Sequence, residues 1–186
     1  MCGFAGFVGE VENREQVLEN MIDTIIHRGP DSSGKFVDED AALGFRRLSI
    51  IDLSESGDQP LYNEDRSKVL VFNGEIYNYQ ELREELIQAG HTFVSNTDSE
   101  TLIHGYEQWG EELVYRLRGM YAFAIWDQKA KRLFSARDIF GIKPLYYAQM
   151  NGTLMFGSEI KSFLEHPKFD KVFNEDALGN YLSFQF

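Results

Sequence analysis

The chain has 186 residues, and its 18 Lys plus Arg against 30 Asp plus Glu give a formal net charge of −12. That acidic balance works against any function resting on the phosphate backbone of nucleic acid, which needs clustered cations. With 43% hydrophobic, 14% aromatic and 26% charged residues the chain is neither disordered nor fibrous, and one domain of this length can bury about 70% of its unfolded surface.

Residues 2–8, apolar and aromatic with interspersed glycine, predict a buried strand. Asn13 with Gln16 resembles a capping pair. Leu18, Met21, Ile22 and Ile25 at helical spacing then predict a helix that stops in the breaker-rich His27-Arg28-Gly29-Pro30-Asp31. Strands follow at 35–38, 41–51 and 68–72, the last running into Asn73-Gly74, a dipeptide that taken alone reads as a hairpin turn. Asn78 with Glu81 predicts a capped helix carrying Leu82, Leu86 and Ala89 up to Gly90. A strand at 92–95 leads to Asp98, the expected N-cap of a helix with Leu102, Ile103, Tyr106 and Trp109, closed by Gly110 and followed by a helical piece at 112–117. Residues 120–126, 133–138, 145–150 and 154–158 read as four strands, the last two joined through Asn151-Gly152. From Glu159 the tail is helical, interrupted at His166-Pro167 and resumed after the cap Asn174. Tyr121, Phe123, Trp126, Tyr146 and Tyr147 are expected in the core. No repeat or linker divides the chain, so residues 1–186 are expected to form one domain. The mixed blocks of strands and helices favour an α+β fold built on antiparallel sheets.

A single cysteine, Cys2, cannot close an intramolecular disulfide. His27, His91, His104 and His166 lie far apart in sequence, without zinc-ligand spacing, so no structural metal is expected. The apolar start is short, lacks a basic leader and soon meets Glu10 and Glu12, unlike a secretory signal. No apolar run nears the roughly 20 residues of a membrane span. The expectation is a cytoplasmic protein with neither a membrane nor a nucleic acid as partner. Read by itself, Cys2 is a small buried hydrophobe. Its position offers another role, because removal of Met1 would put a thiol and the chain's free α-amine on one residue. An α-amine with a reference pKa of about 7.7–8.0 is partly unprotonated near neutrality and can act as a base.

Seven motifs weigh toward the second role. They are Met-Cys-Gly at the start, His27-Arg28-Gly29-Pro30-Asp31, Arg47-Leu48-Ser49-Ile50-Ile51-Asp52, Gln59-Pro60-Leu61, Phe72-Asn73-Gly74-Glu75-Ile76-Tyr77-Asn78, Thr97-Asp98-Ser99-Glu100, and the run from Arg137 to Tyr147 containing Asp138 and Lys143. In this order they closely resemble the glutaminase domain of class II glutamine amidotransferases, in particular the asparagine synthetase branch, over nearly the whole chain to about Lys161. The resemblance implies an N-terminal-nucleophile hydrolase fold, a four-layer αββα sandwich of two antiparallel sheets. It also implies hydrolysis of L-glutamine to L-glutamate and ammonia, the ammonia passing to a second active site.

By the same resemblance Cys2 attacks the amide carbon and forms a thioester. The Asn73 side-chain amide and the Gly74 N–H stabilise the oxyanion. Arg47 takes the substrate carboxylate, Glu75 and Asp98 take its ammonium, and Leu48, Ser49, Ile50 and Ile51 border the pocket. Arg28, Asp31, Asp138 and Lys143 are expected to fix loops, and His104 to be a packed or surface histidine rather than a base. Neither a cofactor nor a metal is expected for this domain. ATP and Mg2+ are expected only in a C-terminal synthetase domain, whose Ser-Gly-Gly-x-Asp-Ser motif does not occur in these residues. The expected partners are L-glutamine and that synthetase domain, with a homodimer left open. Two alternatives also stay open: a class II domain feeding another acceptor, and a non-catalytic module of the same fold that binds an amino acid or a partner.

Overall fold

Nine strands form two antiparallel sheets in the computed structural model, which describes residues 2–48 and 58–184. The first sheet has the order β2 (Ser32–Val37), β3 (Ala41–Arg47), β1 (Gly3–Val8), β9 (Thr153–Gly157), β8 (Tyr146–Met150). The second runs β4 (Leu61–Tyr62), β5 (Lys68–Ile76), β6 (Gly119–Asp127), β7 (Arg132–Arg137).

Side-chain alternation sorts these strands into layers. Phe4 of β1, Leu43 and Phe45 of β3 and Phe156 of β9 meet Val69 and Val71 of β5 and Ala122, Ala124 and Trp126 of β6 between the sheets. On the outer face of the first sheet, Ala5 and Phe7 pack against Val17, Leu18, Met21 and Ile22 of α1 (Arg14–Asp23) and against Phe163. On the outer face of the second sheet, Leu70, Phe72, Ile76 and Phe123 pack against Leu82 of α2 (Tyr79–Gln88) and against Leu102, Ile103 and Tyr106 of α3 (Asp98–Trp109). Each fully buried side chain of this size contributes about 1.5–3 kcal/mol relative to exposure. The result is the αββα sandwich that the resemblance implies. A last helix, α4 (Glu175–Phe184), buries none of its residues, and its first turn is capped by Asn174 Oδ1, which accepts from the Ala177 N–H at 3.2 Å.

Several local expectations change. Asn73-Gly74 is not a turn: both residues lie inside β5, opposite Ala122 and Tyr121 of β6. A Cβ on Gly74 would sit 2.3 Å from the Met120 carbonyl oxygen, so only glycine allows this strand contact. The turn signal at Asn151-Gly152 does operate, with φ of 50° and 74° closing the β8–β9 hairpin. Asn13 precedes α1 but has a left-handed backbone (φ 52°) and makes no side-chain cap, so the expected pair with Gln16 does not form. Asn78 likewise does not cap α2. Its amide donates to the Arg116 carbonyl and accepts from the Arg118 N–H, both at 2.9 Å, tying α2 to the approach to β6. Residues 92–95 are not a strand, because the Val94 and Ser95 N–H groups donate to the Glu100 carboxylate at 2.7 and 2.8 Å and not to a neighbouring strand. Tyr146 and Tyr147 are 42% and 77% exposed, since β8 is an edge strand whose tyrosines face solvent, whereas Tyr121, Phe123 and Trp126 are buried as expected. No helix among the described residues is long and apolar enough to cross a membrane.

His166, where the tail helix breaks, is buried edge-on against the Phe7 ring at a centroid distance of 4.7 Å. Its Nδ1 accepts from the Lys168 N–H at 3.2 Å, and its Nε2 has no partner among the described residues. Burial, with the Lys168 charge adding to it, depresses its pKa from 6.5 to about 4. A buried imidazole that resists protonation makes the unfolded chain the better proton binder, so stability falls as pH drops through the window from about 6.5 to about 4. Urea unfolding at pH 7 and pH 4.5 should show the wild type losing about 2 kcal/mol more than His166→Gln. Equal losses in the two proteins would exclude His166 as a source of acid sensitivity.

Candidate active site

The site lies at the end of the sandwich where β1 begins and β3 ends. Arg47 is the last residue of β3, and Gly3 pairs with Arg46, so Cys2 and Arg47 are neighbours across the sheet. The Cys2 thiol is half-buried between the sheets, beside the Leu48 backbone: its Sγ accepts from the Leu48 N–H at 3.4 Å and lies 3.7 Å from the Leu48 carbonyl. The carbonyl of Cys2 accepts from Arg28 Nε at 3.0 Å, and Arg28 Nη1 is also 3.1 Å from Glu159 Oε1. Arg28 therefore ties the Cys2 backbone to Glu159.

Arg47 follows the inward alternation of Leu43 and Phe45 and is only 8% exposed. Its Nη1 lies 2.7 Å from Asp58 Oδ1. Next to Asp58, the Gln59 side-chain amide reaches the other sheet, its Oε1 accepting from the Phe72 N–H at 2.6 Å and its Nε2 donating to the Phe72 carbonyl at 3.2 Å. Asp58-Gln59 thus links the arginine of one sheet to the residue before Asn73 in the other.

Strand alternation then decides where the donors of β5 point. Beyond Leu70, no strand among the described residues pairs with β5 on the edge away from β6. Phe72 and Ile76 both send their N–H groups to that edge, to Gln59 Oε1 and, at 2.8 Å, to Asp98 Oδ2. Gly74, midway between them, has the same orientation, and its N–H meets no acceptor among the described residues. Asn73 is 3% exposed, and its amide Nδ2 is a buried donor without a hydrogen-bond partner among the described residues. The buried Asn73 donor left unsatisfied costs about 1–3 kcal/mol unless a ligand uses it, and the half-buried Gly74 N–H lies beside it on the cleft.

A cleft of about 700 Å3 opens along this edge, lined by Gly74, Glu75, Ile76, Tyr77 and Val94 to Asp98. Asp98 is the first residue of α3, with Thr97 as the cap, so the expected N-cap role passes to its neighbour and the Asp98 carboxylate faces β5. Burial, reinforced by the nearby Glu75 charge, raises the Asp98 pKa above that of an ordinary carboxylate. Two acids in such a cleft suit an ammonium group.

Asp138 fixes its loop through backbone hydrogen bonds, and His104 is packed in the interior. Although burial opposes its charge, the Asp138 carboxylate accepts four backbone N–H groups, from Tyr121, Phe140, Ile142 and Lys143 at 3.0–3.2 Å, and its pKa stays below the usual value. His104 is 2% exposed, and although burial opposes its charge, hydrogen bonding to Glu100 and Glu107 lifts its pKa to about 9. Glu100 was not picked out by the sequence reading, yet it accepts from the Val94 and Ser95 N–H groups and from Ser95 Oγ, which shapes the cleft wall. Ser49, Ile50 and Ile51 lie outside the described residues.

A family model described as a glutamine amidotransferase domain matches residues 1–186. Glutamine-hydrolyzing asparagine synthetase 1 of Bacillus subtilis is 48% identical over 191 residues, covering 100% of this chain and 30% of the relative. The glutamine-hydrolyzing asparagine synthetase of Zea mays is 44% identical over 167 residues, covering 87% of this chain and 28% of the relative. The chain therefore spans somewhat under a third of the length of these relatives. Among solved structures, glutamine phosphoribosylpyrophosphate amidotransferase from B. subtilis, complexed with ADP and GMP, superposes with a TM-score of 0.74 at 23% identity, covering 87% of this chain and 43% of that one. That likeness carries the fold. Matched along its whole length, and homologous to glutamine-hydrolyzing asparagine synthetases, the chain belongs to the glutamine amidotransferase domain family.

Proposed function

We propose that this domain hydrolyses the side-chain amide of L-glutamine to L-glutamate and ammonia, and that the ammonia goes to an ATP-dependent synthetase domain that makes asparagine. The observation that carries the reading is the pair of unpartnered donors on β5, Asn73 Nδ2 and Gly74 N–H, on the edge that leads to the Asp98 cleft. Cys2 Sγ attacks the amide carbon, and the carbonyl oxygen takes up the negative charge between those two donors. The thiol proton passes to the Cys2 α-amine, exposed once Met1 is removed, and from there to the departing ammonia. Water, deprotonated by the same amine, then hydrolyses the γ-glutamyl thioester.

The Arg47 guanidinium takes the substrate carboxylate in place of Asp58, and Glu75 with Asp98 takes the ammonium. The glutaminase step uses only groups of this chain, while ATP and Mg2+ serve the synthetase domain. The partner of the domain in this reading is that synthetase domain, in the cytoplasm. Relatives named as asparagine synthetases favour asparagine as the product over another acceptor. Cys2, Arg47, Asn73 and Asp98 at one end of the sandwich favour an enzyme over a binding module.

Processed protein, with loss of Met1 checked by intact mass, is expected to turn over glutamine, and Cys2→Ala is expected to have no measurable glutaminase activity. Asn73→Ala should lose about a hundredfold or more in kcat with little change in KM. It should keep the wild-type Tm, because the deleted donor has no partner among the described residues. Wild-type kcat in Asn73→Ala would remove the oxyanion role.

The raised Asp98 pKa sets the acid limb. As pH falls Asp98 protonates earlier than an ordinary carboxylate and loses its attraction for the ammonium, so KM for glutamine rises while kcat is less affected. Asp98→Asn should have a high KM throughout and no such acid-side rise. A wild-type acid limb retained in Asp98→Asn would assign it to another group.

A further inference from the structure

Beside α3, the fold gathers residues from three elements. Glu64 comes from the β4–β5 turn, His91 from the segment after α2, and His104 and Glu107 from α3. Glu64, His91 and His104 each offer a ligand atom within 4.8 Å of the others. The atoms converge closely: His104 Nδ1 lies 3.3 Å from Glu107 Oε2 and 3.8 Å from Glu64 Oε1, and His91 Nδ1 lies 3.9 Å from Glu107 Oε2. Tetrahedral zinc held by nitrogen and oxygen at about 2.0–2.1 Å separates its ligand atoms by about 3.3 Å, so the pairs at 3.8 and 3.9 Å need to close by about half an ångström, and no pair among Glu64, His91 and His104 by more than about 1.5 Å, which side-chain rotation can supply.

Residues behind three of the four ligand atoms already orient them. His91 turns its other nitrogen, Nε2, to Gln108 Oε1 at 3.1 Å, and His104 turns its Nε2 toward Glu100 Oε1 at 3.6 Å. Both imidazoles therefore present Nδ1 to the common centre while an acceptor stands behind Nε2, the arrangement that fixes tautomer and ring direction in histidine–metal sites. The Glu107 carboxylate is set in the same way: Asn63 Nδ2 donates to Oε1 at 2.7 Å, with Lys68 Nζ 3.9 Å from that oxygen, which leaves Oε2 for the centre. Once the ion displaces the proton of His104, two neutral imidazoles and two carboxylates would neutralise a divalent cation; Lys68 Nζ, 3.9 Å from Glu107 Oε1, also lies 3.7 Å from Asp127 Oδ2.

We propose that Glu64, His91, His104 and Glu107 form a binding site for a zinc-type divalent cation, outside the catalytic centre and independent of the glutaminase reading. The 13-residue interval between His91 and His104 hides the site in the sequence. Bound there, the ion ties the β4–β5 turn and the start of the 91–97 segment to α3, whose first residue is Asp98. That segment lines the cleft, so the site reaches the substrate region through rigid structure and not by contact.

The test is calorimetric titration of chelator-treated 186-residue chain with Zn2+ alone, together with thermal unfolding. One equivalent should bind, and saturation at a hundredfold over Kd should raise Tm by about 5–10 °C. His91→Ala and Glu64→Ala, at partly exposed positions that leave the core intact, should each weaken binding at least tenfold. His27→Ala, which alters the separate His27–Glu159 surface pair, should not. Absence of stoichiometric Zn2+ binding would overturn the proposal. So would binding that survives His91→Ala unchanged or disappears in His27→Ala.

Discussion

Past Leu70, one edge of β5 has no strand among the described residues to take its hydrogen bonds, and the geometry of the candidate site depends on what satisfies that edge instead. A buried sheet edge does not stay open without cost, because each unmade backbone hydrogen bond forfeits desolvation energy of order 1–3 kcal/mol. Two side chains from distant parts of the chain close it, Gln59 at Phe72 and Asp98 at Ile76. Between them the Gly74 N–H stays open beside the unpartnered Asn73 amide. The fold therefore satisfies every second position of the edge and leaves vacant the one that a substrate oxygen can fill.

That single strand also sets the distances between functions. Gln59 is continuous with Asp58, which holds Arg47 of the opposite sheet, and Asp98 begins the helix that covers the outer face of β5. In the proposed reaction, carboxylate recognition, the oxyanion donors and ammonium recognition are thus three attachments to neighbouring residues of β5. The proposed nucleophile comes from the other sheet, where Arg28 and the Leu48 backbone hold Cys2. In that proposal the net charge of −12 plays no direct part, because recognition of a zwitterion is assigned to one buried arginine and two local acids.

Much of this was legible in the residues. The continuous apolar run at 120–126 marks a strand buried on both faces, and helical spacing in Leu18, Met21, Ile22 and Ile25 marks the buried face of α1, so these elements could be read locally. The order of the motifs pointed to Cys2, Arg47, Asn73, Gly74 and Asp98 as one set. What escaped reading was long-range satisfaction of backbone groups. Asn73-Gly74 has the chemistry of a turn, and only pairing with β6 makes it strand. Residues 92–95 have strand-like composition, but the Glu100 carboxylate takes their N–H groups. Asn78 and Asp98 have cap chemistry, yet both spend their side chains on backbone of other elements. Tyr146 and Tyr147 were read as core because sequence does not reveal that β8 would be an edge strand.

The central claim is that the Asn73 amide and the Gly74 N–H are held ready for the oxygen of the tetrahedral intermediate. A crystal structure of the processed protein, alkylated at Cys2 by a diazoketone analogue of glutamine, tests it most directly. The adduct's carbonyl oxygen is expected about 2.7–3.1 Å from both Asn73 Nδ2 and Gly74 N. An adduct whose oxygen faces elsewhere, with these two donors left to water or paired within the protein, would contradict the account.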